Sequence, residues 1–219
     1  MNIILGNGLL GKELKIQTNW KMLGRKDFDI VHPDFNKLKG YSTLINCIAF
    51  TDTYSKLRNE HWNVNYRGVK TLIDYCNQEN KKLVQISTGY VYSGSVSEAR
   101  ETDVPVHNNC WYTYTKLLAD GLVQLEAKDY LLIRCVHKPK PFPYEKAWID
   151  QVGNFDYVDV IAEIIIKLIN KRTTWVFNVG TKLKTMQDLA GVSPSFSDPE
   201  VPKDISMNLN RLQCALSLT

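Results

Sequence analysis

The chain opens with an apolar run, Asn2-Ile3-Ile4-Leu5, that passes directly into Gly6-Asn7-Gly8-Leu9-Leu10-Gly11 and then into a helical pattern around residues 12–18. No other feature restricts the fold as much. In this glycine spacing Gly6 permits a tight turn, Gly8 lets the backbone approach a ligand, and Gly11 lets a helix pack closely on the strand before it. The free N–H groups and dipole of that helix then favour an anion, and a pyrophosphate fits the spacing. A turn of this kind is built to sit at the carboxyl edge of a parallel sheet.

The rest of the chain supplies such a sheet. Short apolar runs at residues 1–5, 21–24, 44–50, 83–87, 131–136 and 175–179 predict strands covered on both faces, because their apolar residues are continuous rather than alternating. Helical spacing predicts helices over residues 60–78, 112–126 and 158–169. Strand–helix alternation with right-handed crossovers predicts an α/β fold, a Rossmann-type doubly wound parallel sheet. Residues 1–136 read as the dinucleotide-binding domain. Residues 137–219 read as a reduced substrate-binding region interleaved with the last strand and helices. Two proline-marked stretches, 137–155 and 192–205, are irregular excursions placed where such folds build ligand sites.

Composition narrows the function. With 219 residues, 44% hydrophobic and 23% charged, the chain can bury a core. Its 27 basic and 23 acidic residues are interspersed, which argues against nucleic acid as a partner. No apolar run is long enough for a bilayer and the N-terminus reads as a strand, so a cytoplasmic protein is expected. Cys47, Cys76, Cys110, Cys135 and Cys214 are unclustered and predict free, mostly buried thiols, with no metal site. His32, His61 and His107 sit in polar surroundings and are expected to be exposed, whereas Trp62, Trp148 and Trp175 are expected in the core or an interface.

Two further sites carry chemistry. The second strand ends at Arg25-Lys26, where a basic residue would pair with the 2′-phosphate of NADP and an acidic one would accept from the ribose of NAD. NADP(H) is therefore favoured, with NAD(H) as the alternative. Tyr112 and Lys116 are four apart at the start of a helix and share a face, so the ammonium is expected to bring the phenol towards working pH. The strand ending in Ser87-Thr88 offers a hydroxyl to a substrate carbonyl. Asp156 and Asp159 are expected to cap and charge the next helix.

Glycine turn, Thr88, Tyr112 and Lys116 together resemble the extended short-chain dehydrogenase/reductases, and within them the dTDP-4-dehydrorhamnose reductase group. The likeness continues in MLGRKDFDI, INCIAFTDT, NVNYRGVKTLIDYC, ISTGYVYSG, WYTYTK, NFDYVDVIAEII and VFNVGT. It implies that Asp29 and Ile30 flank adenine, that Cys47, Ile48 and Ala49 line the cofactor, and that Asn65 is the structural asparagine of the cofactor-binding segment. It also implies that Tyr112 exchanges a proton with a sugar oxygen, Lys116 tunes Tyr112 and holds the nicotinamide ribose, and Thr88 orients the carbonyl. The substrate implied is a nucleotide-activated 4-keto-6-deoxysugar, with Tyr90 and His137 beside it and Arg134, Lys138 or Lys140 meeting its phosphates. Homodimers through the Tyr–Lys helix and its neighbour are common in this group.

The chain also departs from that pattern. Gly89 follows Thr88 where an acid is common, and Gly89-Tyr90 lacks the Asp-Glu pair of the 4,6-dehydratases, which argues against sugar dehydration. Tyr90 stands where the epimerase-reductases place a cysteine. Residues 137–155 form a shorter segment than the relatives' substrate region, so the sugar pocket is abbreviated, completed by another subunit, or absent. A reductase is the first expectation. A 4-epimerase with tightly bound NAD and a non-catalytic NADP-binding regulatory subunit are the alternatives.

Overall fold

The computed structural model describes residues 1–103 and 110–217. Six parallel strands form its centre: β1 (Asn2–Leu5), β2 (Lys21–Leu23), β3 (Thr43–Asn46), β4 (Lys82–Thr88), β5 (Tyr130–Cys135) and β6 (Trp175–Val179). They lie in the order β6-β5-β4-β3-β1-β2. The chain turns outwards in opposite directions on either side of the β1–β3 pair, which opens a crevice at their carboxyl ends.

Five helices matter for the site. They are α1 (Leu9–Thr18), α2, α3 (Trp111–Glu126), α4 (Val158–Asn170) and α5 (Asn210–Ser217). Helix α2 starts at Arg58–Glu60, widens into a π-helical stretch His61–Arg67, and ends as Gly68–Gln78. On one sheet face Ile3, Leu44, Leu83 and Leu132 pack against Val69, Leu72 and Val123 of α2 and α3. On the other, Ile4, Ile45, Val84 and Leu131 pack against Leu14 of α1 and Ile161, Ile165 and Leu168 of α4. This two-sided burial is why the strands read as unbroken apolar runs, each such side chain contributing about 1.5–3 kcal/mol.

The irregular stretches assemble with one another above the carboxyl edge. Lys146–Trp148 pairs in parallel with Ser193–Ser195, and Val152–Gly153 lies between Lys184–Thr185 and Asp204–Ile205. Gly180, just past β6, lets this lobe dock, since a Cβ there would meet the Asn154 carbonyl oxygen at 2.1 Å.

Several expectations are corrected. The third strand stops at Asn46 rather than at residue 50, because the Asn46 side chain accepts from Ile48 N (3.1 Å) and turns the chain out of the sheet. Helix α1 begins at Leu9, a turn earlier than expected. His61 is fully buried, since the π-helical stretch rotates it inwards, and His107 lies outside the described residues. Trp175 is 60% exposed and only its edge meets Tyr130. Asp156 does not cap α4; it accepts from Thr181 (2.6 Å) and pairs with Lys184 (2.6 Å), while Asp159 does sit in the first turn. Cys76 and Cys135 are buried, Cys47 and Cys110 half-buried and Cys214 exposed, all as free thiols.

Candidate active site

The crevice is a cleft of about 880 Å³. At one end lies the glycine turn. Gly6 adopts φ +102° and donates its N–H to Leu23 O at 2.8 Å, fixing the start of the β1–α1 turn against the end of β2. A Cβ on Gly11 would meet the Gly6 carbonyl oxygen at 2.1 Å, so only glycine lets α1 start this close to β1. Gly8 is different: a Cβ there would meet nothing within 4 Å, because the residue faces the open cleft. Helix α1 has no side-chain cap and no acidic residue in its first turn, leaving its positive end to the cleft. The residues present therefore fit a dinucleotide pyrophosphate.

Gly6, Asn7, Gly8, Leu9, Leu10 and Gly11 all line this end. Beyond them come Arg25, Asp29 and Ile30, and the cleft's far wall carries Cys47, Ile48 and Ala49. Arg25 and Asp29 bring one charge of each sign to the end where a ribose would be read. Two of the expected residues lie off the lining: Lys26 is exposed but outside it, and Asn65 is buried behind the wall. Asn65 has a structural place, accepting from Phe50 N (2.8 Å) and donating to Phe50 O (3.1 Å), which clamps the loop that leaves β3.

At the other end β4 delivers Thr88 and the first turn of α3 delivers Tyr112 and Lys116. Thr88 Oγ1 accepts from Tyr90 N at 3.2 Å and lies beside the Tyr112 phenol in the cleft lining. Burial pushes that phenol well above its usual range, and the neighbouring Thr88 side chain opposes it. Lys116 is 2% exposed and donates to Ile86 O at 2.6 Å. Burial lowers its pKa, opposed chiefly by Asp120. The expected ammonium-driven lowering of the phenol is thus not what dominates here, because Lys116 is turned towards a strand carbonyl.

Tyr90, His137 and Lys138 extend the lining past Thr88. Burial, then the charge of Lys138, pushes His137 down to about 4, and its Nδ1 is buried without a partner among the described residues. Burial also lowers Lys138. Arg134 is corrected: at 2% exposure it lies inside the molecule, paired with Asp120 (3.0 Å) and donating to the Tyr92 hydroxyl (2.6 Å), so it cannot meet a substrate phosphate. Lys140 pairs with Asp159 at 2.8 Å and lies outside the lining.

The cleft includes residues that sequence reasoning missed. His32, Phe50, Thr51, Thr53, Glu60 and Asn63 line it from loops and from the start of α2. Phe50, Thr51 and Thr53 lie in the INCIAFTDT segment that follows β3, a place where such folds build ligand sites, whereas His32, Glu60 and Asn63 carry no local signal.

Residues 2–137 match the family model described as the RmlD substrate binding domain. No curated protein matches the chain. Among solved structures, a dTDP-4-dehydrorhamnose reductase from Clostridium acetobutylicum superposes with TM-score 0.83 at 22% identity, covering 97% of this chain and 91% of that one. One from Bacillus anthracis, in complex with NADP, gives TM-score 0.82 at 22% identity, covering 97% and 92%. A UDP-glucuronic acid 4-epimerase from Bacillus cereus, in complex with NAD, gives TM-score 0.77 at 15% identity, covering 100% and 91%. These likenesses establish the shared fold.

Proposed function

We propose, proceeding from the fact that this chain belongs to the RmlD substrate binding domain family, that it is an NADP(H)-dependent reductase of a nucleotide-activated 4-keto-6-deoxysugar. The observation that carries the reading is the single cleft with an anion-ready glycine turn at one end and Thr88, Tyr112 and Lys116 at the other. The cofactor supplies a hydride when bound; the chain's own groups handle the proton and the orientation. Thr88 and Tyr112, both lining the same end of the cleft, offer two hydroxyls to one carbonyl oxygen. Tyr112 gives its proton to that oxygen as the alcohol forms, and its raised pKa keeps the proton in place until then. Lys116, freed from Ile86 O, stabilises the phenolate left behind. The proposed domain division follows the same geometry, residues 1–136 holding the cofactor and 137–219 closing over the substrate.

Arg25 supports NADP(H) as cofactor, and Lys138, the cleft-lining lysine beside His137, suits the substrate's phosphates. Asp29 on the same wall as Arg25 favours one second reading, a 4-epimerase that keeps NAD bound. Half-exposed aromatic residues on α2 and α3, with Trp62 against Tyr66 (4.8 Å between rings) and Trp111 against Tyr114 (5.9 Å), support a homodimer through these helices.

The test is NADPH oxidation with a panel of nucleotide-4-keto sugars, compared between the wild type and Tyr112→Phe. A reductase turns over and loses at least about 100-fold in kcat on the substitution. Purification with tightly held NAD and interconversion of 4-epimers would establish the epimerase instead. Cofactor binding with no turnover by either protein would leave a regulatory subunit.

A further inference from the structure

We propose that Gln151 is a positioning residue for the substrate, its buried side-chain amide holding the Tyr90 phenol so that the phenol offers its own proton to a sugar oxygen in the cleft. The inference deepens the reductase reading, on which the identity of that sugar rests. Tyr90 lines the cleft two residues after Thr88, at the end away from the glycine turn. Its backbone is pinned on both sides: the N–H donates to Thr88 Oγ1 (3.2 Å) and the carbonyl accepts from Ser93 Oγ (2.6 Å). Its side chain packs against the apolar cluster of Ala147, Phe155, Met186 and Ile205.

Gln151 reaches the phenol from the lobe that roofs the sheet. It is fully buried, and its Nε2 donates to Pro202 O at 2.9 Å and to the Tyr90 hydroxyl oxygen at 3.3 Å. Pro202 decides which end of the amide points this way. A carbonyl oxygen can only accept, so the NH2 end must face it. Turning the amide over would let Oε1 accept the Tyr90 proton, but would set Oε1 against Pro202 O, two acceptors face to face. The amide therefore stays as it is, although Oε1 is then buried with no partner among the described residues.

A phenol has one proton to give, and its oxygen can accept at the same time. Here the amide occupies the oxygen, and no hydrogen bond donated by the Tyr90 hydroxyl is found among the described residues. With backbone, ring and oxygen all held, the proton is left for a ligand in the cleft that Tyr90 lines. Burial raises the Tyr90 phenol above its ordinary range, with the Gln151 bond as the first opposing influence, so the proton is present at neutral pH. Tyr112 gives its proton up in the reaction, whereas Tyr90 keeps its own and grips the sugar. Sequence alone hides the arrangement, because Gln151 reads as a lone amide in an irregular stretch.

The experiment joins a double-variant cycle to an NMR measurement. In NADPH oxidation with a nucleotide-4-keto-6-deoxysugar, Gln151→Leu and Tyr90→Phe each raise the sugar KM about tenfold, with kcat within about threefold and the KM for NADPH unchanged. The double variant is no worse than Tyr90→Phe alone, because the amide acts through that one hydroxyl. A Gln151→Leu effect that persists in the Tyr90→Phe background would overturn the proposal and leave Gln151 as a strut of the lobe. In the ligand-free protein labelled with 13C at tyrosine Cζ, the Tyr90 signal is assigned by its loss in Tyr90→Phe. It moves in Gln151→Leu; an unmoved signal would overturn the proposal as well. This second arm needs no turnover, so a protein that reduces no sugar defeats the reductase reading alone, and the spectrum still decides the hold on Tyr90.

Discussion

Tyr112 and His137 show how burial decides what a side chain can do. Tyr112 is a protonated donor whose only chemistry is to give up a hydroxyl proton, so Tyr112→Phe is expected to remove turnover while cofactor affinity, measured by fluorescence titration, changes less than about threefold. His137 enters the folded state neutral, at about 4 against an ordinary 6.5. Between those values the unfolded chain binds a proton that the folded chain refuses, so stability is complete above about pH 6.5 and declines as pH falls towards 4. The loss is about 3 kcal/mol at most. Urea unfolding of His137→Gln across this range is expected to show a flatter pH dependence than the wild type; parallel curves would place the titrating group elsewhere. Thr88, Tyr112 and Lys116 were legible because each has a fixed offset from a recognisable strand or helix start. Arg134 was misread because its partner Asp120 lies fourteen residues earlier on another element, and no local pattern reports that pairing. His61 was misread for a related reason: its neighbours are polar, but the π-helical stretch turns it inwards against Phe50, at 4.7 Å between rings.

The strand-to-turn-to-helix unit gives the sharpest contrast between element folding and element function. Gly11→Ala places a methyl 2.1 Å from the Gly6 carbonyl oxygen and must push α1 off the sheet. Thermal melting is expected to show a loss of about 1–3 kcal/mol, the usual cost of overpacking. Gly8→Ala meets nothing within 4 Å and its φ of −69° suits any residue, so the melting temperature should hold while NADPH binding weakens at least tenfold. Equal effects of the two substitutions on stability would contradict this division of roles. Five of the six sheet strands were readable to within a residue at either end, since burial on both faces leaves an unbroken apolar signature; the third was not. Residues 47–50 were read as part of a strand because they are equally apolar, yet they line the cleft. Hydrophobicity cannot tell a strand covered by helices from a loop covered by a ligand, and the turn signal at Asn46 is a side-chain hydrogen bond that periodicity does not register.

At the scale of the whole molecule, two regions without repeating pattern, 137–155 and 192–205, pair with each other to roof the carboxyl edge of the sheet. Their contacts are far apart in sequence, which is why the alternation of strands and helices announced the lower domain but not this lobe. Assembly is tested on the aromatic patch of α2 and α3. Sedimentation at twice the monomer mass is expected for the wild type and at the monomer mass for Tyr66→Glu, which places a charge beside Trp62. A wild-type monomer would remove the dimer from the account without touching the cleft. The cleft itself is tested by label transfer. NADPH carrying deuterium on the transferable C4 position is incubated with a nucleotide-4-keto-6-deoxysugar and the product is weighed by mass spectrometry. The account predicts one deuterium at sugar C4 with the wild type and none with Tyr112→Phe; saturable cofactor binding with no deuterium in any sugar of the panel would contradict it.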